Sequence, residues 1–157
     1  MSKFYLRELL KAPNEIILVI FQFLLISLHF IKFEFLHKIK IIQGNSILSL
    51  LGLIIIIIAS IIMLLAIKDL GSNLSALPRP IANGKLITSG IYRFLLHPMY
   101  YSLILISLGF FIINLSFYYL CLTISLIFVI KFKITLEEKY LNNKFKNYLI
   151  YKDKIKY

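Results

Sequence analysis

Residues 89–101 read Ser89-Gly90-Ile91-Tyr92-Arg93-Phe94-Leu95-Leu96-His97-Pro98-Met99-Tyr100-Tyr101, and they lie between a polar stretch and a long apolar run. Gly90 permits a tight turn. Pro98 fixes its own φ and is best accommodated in the first turn of a helix. A helix is therefore predicted to start near His97-Pro98 and run into the apolar segment behind it. Helix N-termini carry unsatisfied N–H groups and the positive end of the dipole, so an anionic group is welcome there, and His97 stands where it can help hold one. The plainer reading of the same residues is a membrane-entry turn, since Tyr, Arg and His all suit the headgroup zone.

The rest of the chain places that turn in a membrane. Of 157 residues, 60% are hydrophobic and the mean hydropathy is +0.87, well above soluble proteins at roughly 45–50% apolar. The formal charge of +11 does not indicate nucleic acid, because the lysines flank apolar runs instead of forming one polar face. Cys121 is the only cysteine, which excludes an intramolecular disulfide and a cysteine-rich zinc site. The N-terminus does not resemble a cleavable signal, and its first apolar run reads as a retained span.

Hydropathy divides the chain, as a single membrane domain over 1–157, into about four spans: 16–33, 47–67, 98–113 and 117–132. The last two form a C-terminal helical hairpin that breaks at Asn114-Leu115-Ser116; one long tilted helix is the alternative. Two helices of about fifteen residues are short for a bilayer and imply local thinning. Residues 1–15 carry a partial apolar stripe suited to the interface. The 68–97 loop is broken by Gly71, Pro78, Pro80, Gly84 and Gly90, while Leu74, Leu77, Ile81, Leu86 and Ile87 give it apolar anchors, so it is predicted to be ordered. The tail, 133–157, repeats apolar residues at helical spacing and is predicted to be an amphipathic helix continuing from the last span. With four spans, fifteen of the eighteen Lys and Arg fall on one side. That side, holding both termini and the 68–97 loop, is then cytoplasmic, and the protein is multi-pass.

Two polar segments meet at that face. One carries Tyr92, Arg93, His97 and Tyr100; the other carries Glu137 and Glu138. Neighbours on a helix point about 100° apart, so one carboxylate faces inward while the other meets water or lysine. Most surface charge pairs do little, and a solvated pair is the plain alternative. His29, near the far end of the first span, reads as an interfacial or packed residue and not as a ligand. Three scattered histidines build no zinc site, so no metal is expected. No phosphate-binding glycine motif is present, and no span carries the paired buried charges of a transporter. What remains is a pocket of aromatic rings, a His-Pro turn and a carboxylate. It suits a charged amphiphilic cofactor, because a cation such as a sulfonium is attracted to tyrosine faces and to a carboxylate.

At these residues the chain resembles the integral-membrane isoprenylcysteine carboxyl methyltransferases and their phospholipid-methyltransferase-like relatives. The resemblance runs through Leu70-Gly71, Leu86 to Arg93, His97-Pro98-Met99-Tyr100, Glu137-Glu138-Lys139-Tyr140-Leu141 and Tyr148-Leu149-Ile150-Tyr151, about half of the chain, in order and at matching spacing. It departs at Leu96, where the family pattern has Arg, at Ile91 for Pro and at Ser102 for Gly.

The resemblance implies an S-adenosylmethionine-dependent methyltransferase embedded in the membrane. Leu86, Tyr92, His97, Pro98, Tyr100 and Glu138 would bind the cofactor, with His97 on its carboxylate. Glu138 and Glu137 would act at the reacting end, Glu138 slightly favoured, and Arg93 would stand in for the missing Arg. The acceptor would be lipophilic, an isoprenylcysteine carboxylate or a lipid, entering from the surrounding membrane lipids. The alternative is a non-catalytic relative that keeps the fold as a binding or assembly module.

Overall fold

The structure is a computed structural model that describes residues 13–31, 39, 41 and 45–156. The expected interfacial stretch before Pro13 and most of the Glu34–Ser46 connection lie outside them. Among the described residues every regular element is helical: α1 (Pro13–Leu28), α2 (Ser46–Leu70), α3 (Pro98–Asn114), α4 (Phe117–Lys144) and α5 (Tyr148–Lys156), with 3-10 turns at Gly71–Asn73 and Gly90–Arg93.

Two helical stretches are long and apolar enough to cross a membrane: α2 with the turn that follows it, Ser46–Asn73, and α4, each stretch of 28 residues. α1 and α3 are shorter, at 16 and 17 residues. At 1.5 Å per residue they reach about 24–26 Å, short of a hydrocarbon core of about 30 Å. α1 also stops earlier than hydropathy suggests, because His29 and Phe30 form a turn instead of continuing it.

Local chemistry sets the helix ends. The Asn45 side chain accepts from Leu48 N–H at 2.8 Å and caps α2, satisfying one of the orphan donors of a helix start. α3 begins at Pro98, with His97 in the cap position. It ends where Leu115 turns left-handed (φ 46°), a conformation costly for a residue with a Cβ. Two backbone bonds brace that turn: Ile41 N–H to Leu115 O and Phe117 N–H to Ile39 O.

α2 reaches the rest of the molecule through small residues. Gly52, Ala59 and Ala66 are buried at intervals of seven. A Cβ on Gly52 would stand 2.8 Å from Gly109 O on α3, and one on Gly109 would stand 2.8 Å from Gly52 O. Small residues let membrane helices approach closely where no hydrophobic force drives them together. The other face of α2, with Leu50, Ile54, Ile57, Ile61 and Leu64, is exposed, as a lipid-facing helix requires.

The apolar core lies between α1, α3 and α4, around Leu25, Tyr119, Leu122, Leu126, Val129 and Ile130. A polar stripe runs beside it. Glu15 and Gln22 on α1 and His29 in the turn after it lie seven residues apart, and all three are buried. Each finds a partner: Arg79 and Tyr140 for Glu15, Lys133 for Gln22, Ser107 for His29.

The tail departs from the single continuous helix predicted. α4 runs on to Lys144, then Phe145 takes an extended conformation (φ −118°, ψ 109°) and α5 starts at Tyr148. Asn142 and Asn143 before the break are weak helix formers. The elbow turns Tyr148 into the protein, where it is buried.

Candidate functional site

Of the apolar anchors expected in the 71–97 segment, Leu77, Ile81, Leu86 and Ile87 are half-buried and Leu74 is exposed; polar clamps hold the segment as well. Three cations take hold of it. Lys133 Nζ donates to Ala76 O at 2.9 Å, Lys144 Nζ donates to the carbonyls of Ile81 and Ala82, and Arg79 is paired with the buried Glu15 at 3.0 Å. Within the segment, Asn73 Oδ1 accepts from Lys85 N–H at 2.8 Å. At its far end Asp69 Oδ2 accepts from Ile91 N–H at 2.7 Å, which fixes the 3-10 turn carrying Tyr92. That turn needs Gly90. Its φ is +61°, and a Cβ there would fall 2.0 Å from Asp69 Oδ2.

The clamped segment, the end of α4 and the face of α5 enclose a cleft whose empty space, open mouth included, is about 680 Å³. Its walls include Leu86, Tyr92, Leu96, Glu137, Tyr148 and Tyr151. Tyr100, His97 and Lys133 all stand close enough to the Glu137 carboxyl group to act on its charge. Lys133 also stands over the Tyr100 ring, 5.3 Å from its centroid.

Burial keeps the tyrosines of the cleft neutral. It raises Tyr151 to about 12. It raises Tyr92 further, with help from the Glu137 charge, and Tyr148 with help from Glu138. All three stay protonated at physiological pH. The Tyr151 hydroxyl is committed to Tyr92 O at 2.6 Å. The Tyr148 hydroxyl is buried near the Glu138 carboxylate but meets no acceptor in hydrogen-bonding geometry.

Not every residue expected at the site lines the cleft. Leu86, Tyr92 and Glu137 do. His97 and Pro98 are buried behind the wall, at the start of α3. Tyr100 stands behind Glu137. Of the two carboxylates, geometry turns Glu137 to the cleft, whereas Glu138, the one slightly favoured from sequence, bridges His97 Nε2 at 3.5 Å and Lys152 Nζ at 2.6 Å. Arg93 is exposed and outside the cleft wall, so it does not stand where Leu96 does.

Four residues escaped the sequence reading as site members: Asp69, Tyr148, Tyr151 and Lys152. The Tyr148–Tyr151 spacing, three residues on one helix face, was the signal for two of them. Asp69 gave none, because its partner lies 22 residues away. Among the described residues no group of His, Cys, Asp and Glu is arranged to hold a metal ion.

Fold and site define an all-helical membrane protein with a carboxylate and tyrosine faces gathered in a cleft at one end of its helices. A family model described as phospholipid methyltransferase matches residues 47–148, from α2 to the first residue of α5. The chain belongs to that family and, through it, to the membrane methyltransferases. No curated protein and no solved structure matches it.

Proposed function

We propose that the chain is a multi-pass membrane methyltransferase that uses S-adenosylmethionine and methylates a lipophilic acceptor, a lipid or an isoprenylcysteine-like carboxylate. The observation that carries this reading is Glu137 in the wall of a cleft lined by Tyr92, Tyr148 and Tyr151. The residues present fit the cofactor. The tyrosines and the one carboxyl group of the lining suit a sulfonium.

S-adenosylmethionine bound there supplies a methyl group on a positively charged sulfur. The protein's part is positioning and electrostatics. Glu137 places a carboxyl group in the cleft wall, with Tyr100, His97 and Lys133 around it. Tyr92 and Tyr151 form one connected wall through their hydrogen bond. Lys152, through Glu138 and His97, ties α5 to the start of α3 and holds Tyr148 in place. The cleft opens to the side on which Lys and Arg are concentrated, the cytoplasmic side, and the acceptor reaches it from the bilayer between the helices.

A second reading, a binding module without catalysis, has one observation in its favour. Leu96 lines the cleft, so an apolar side chain occupies the position where the family pattern has Arg. Two measurements separate the readings: binding of S-adenosylhomocysteine to the purified chain, and transfer of labelled methyl from S-adenosylmethionine into a lipid extract. Binding with transfer supports the enzyme. Binding without transfer into extracts from several sources supports the module, and no binding sinks both.

A further inference from the structure

α5 has two faces. The inner face belongs to the cleft already described: Tyr148 is buried, Tyr151 bonds Tyr92 O, and Lys152 pairs with Glu138. The outer face has no partner among the described residues. Leu149 and Ile150 are 53% and 65% exposed there. Beside them lies a second cleft, lined by Thr88, Lys144, Lys146, Asn147, Ile150 and Lys154 among others. It shares Leu86, Phe145 and Tyr151 with the first. Lys144 is spent on loop carbonyls, but Lys146 and Lys154 are exposed. From 146 to 156 the chain has four lysines against one acid, Asp153.

From this arrangement we infer that the outer face of α5 and the basic cleft beside it dock on anionic phospholipid headgroups of the surrounding leaflet, and that docking holds α5 closed over the first cleft. Two exposed aliphatic side chains flanked by lysines form the pattern of a short interfacial helix. The leaflet on the lysine-rich side is the one that carries anionic lipid. A soluble phosphate would account for Lys146 and Lys154 but not for Leu149 and Ile150, and this favours a lipid as the occupant. Docking acts on the first cleft because the helix that docks is the helix that supplies Tyr148 and Tyr151. A ligand shifts an equilibrium only by its differential affinity for two states; here the two are α5 seated and α5 lifted. The coupling rests on the cofactor reading above, whereas the docking does not.

The experiment uses the full chain in phosphatidylcholine vesicles with or without phosphatidylglycerol. One arm reads docking alone: a polarity-sensitive dye on Leu149→Cys in a Cys121→Ser background, quenched by spin-labelled lipid. The other reads S-adenosylhomocysteine affinity for the wild type and for Lys146→Gln/Lys154→Gln. Phosphatidylglycerol is expected to increase quenching and, with two lysines near the surface, to tighten affinity by about tenfold. The double variant should lose both responses yet keep the wild-type affinity in neutral vesicles. Equal quenching in the two vesicle types overturns the docking, whether or not the cofactor analogue binds. Increased quenching with unchanged affinity overturns the closure. Full replacement of the lipid effect by inorganic phosphate overturns the lipid as occupant. No cofactor binding in any vesicle counts against the function proposed above, and the quenching arm still decides the docking.

Discussion

Two polar regions of this molecule, one beside His29 and one beside Glu137, resemble each other in composition and differ in what they leave over. At the first, the His29 Nδ1–H donates to Leu25 O at 2.8 Å, which leaves Nε2 of the neutral ring to accept from Ser107 at 2.7 Å. Thr123 Oγ1 continues the chain 2.8 Å from Ser107 Oγ. The groups are buried, matched to one another and divided among the turn after α1, α3 and α4, and neither cleft described above includes them. At the second, Glu137 and three tyrosines line an open cleft. A polar cluster that satisfies itself holds helices together; one with capacity to spare is prepared for something else. Under the function proposed above, the contrast sorts His29 with the packing of the helices and Glu137 with the cleft.

Substitutions can break that contrast. His29→Ala should cost the most, about 1–3 kcal/mol of stability, because Ser107 loses its buried partner. Thermal unfolding in detergent reads the loss, and S-adenosylhomocysteine affinity in the folded fraction should stay at the wild-type value. A selective loss of affinity would place His29 in the functional region after all. Glu137→Gln reverses the pattern. It keeps volume and removes charge, and turnover should fall at least tenfold, about 1.4 kcal/mol of transition-state stabilisation. Stability should hardly change, and undiminished turnover would remove the carboxylate from the mechanism.

Glu138→Gln sharpens the distinction within the acidic pair. It weakens a partly exposed pair with Lys152, worth up to about 1 kcal/mol, and should loosen α5, seen as faster proteolysis at the tail. A turnover loss as large as that of Glu137→Gln would mean that the two carboxylates act together. Arg93→Ala should do least, within about 0.5 kcal/mol on stability, with methyl transfer unchanged. A large drop in transfer would return Arg93 to the role that sequence suggested.

What the sequence made legible follows the range of the interactions involved. The start of α3 could be read from His97-Pro98 because a proline acts on its own backbone. Helicity and membrane character followed from apolar runs, which are local as well. The choice between Glu137 and Glu138 was not readable, since both flank Leu141 and their orientation depends on helices packed from elsewhere. The elbow at Phe145 was missed for a related reason. The helical periodicity of the tail continues through it, and the burial of Tyr148 bends the chain where periodicity does not. The stripe of Glu15, Gln22 and His29 was visible as a seven-residue interval in an apolar segment, yet its partners on α3, α4 and the 71–97 segment come from up to 125 residues away.

The glycine contact between α2 and α3 has a consequence for how variants of this protein would be interpreted. Gly52 lies 17 residues before Asp69 on the same helix, about 26 Å along its axis, and Asp69 holds the turn that carries Tyr92. A larger side chain at Gly52 cannot fit against Gly109 O, so α2 must rotate or withdraw, and Asp69 moves with it. A lesion deep in the lipid would then present in an assay as poor cofactor affinity in a protein that still inserts and folds. A random screen for inactive clones should return Gly52 and Gly109 alongside Glu137, and a map of those clones would trace the rod that connects them.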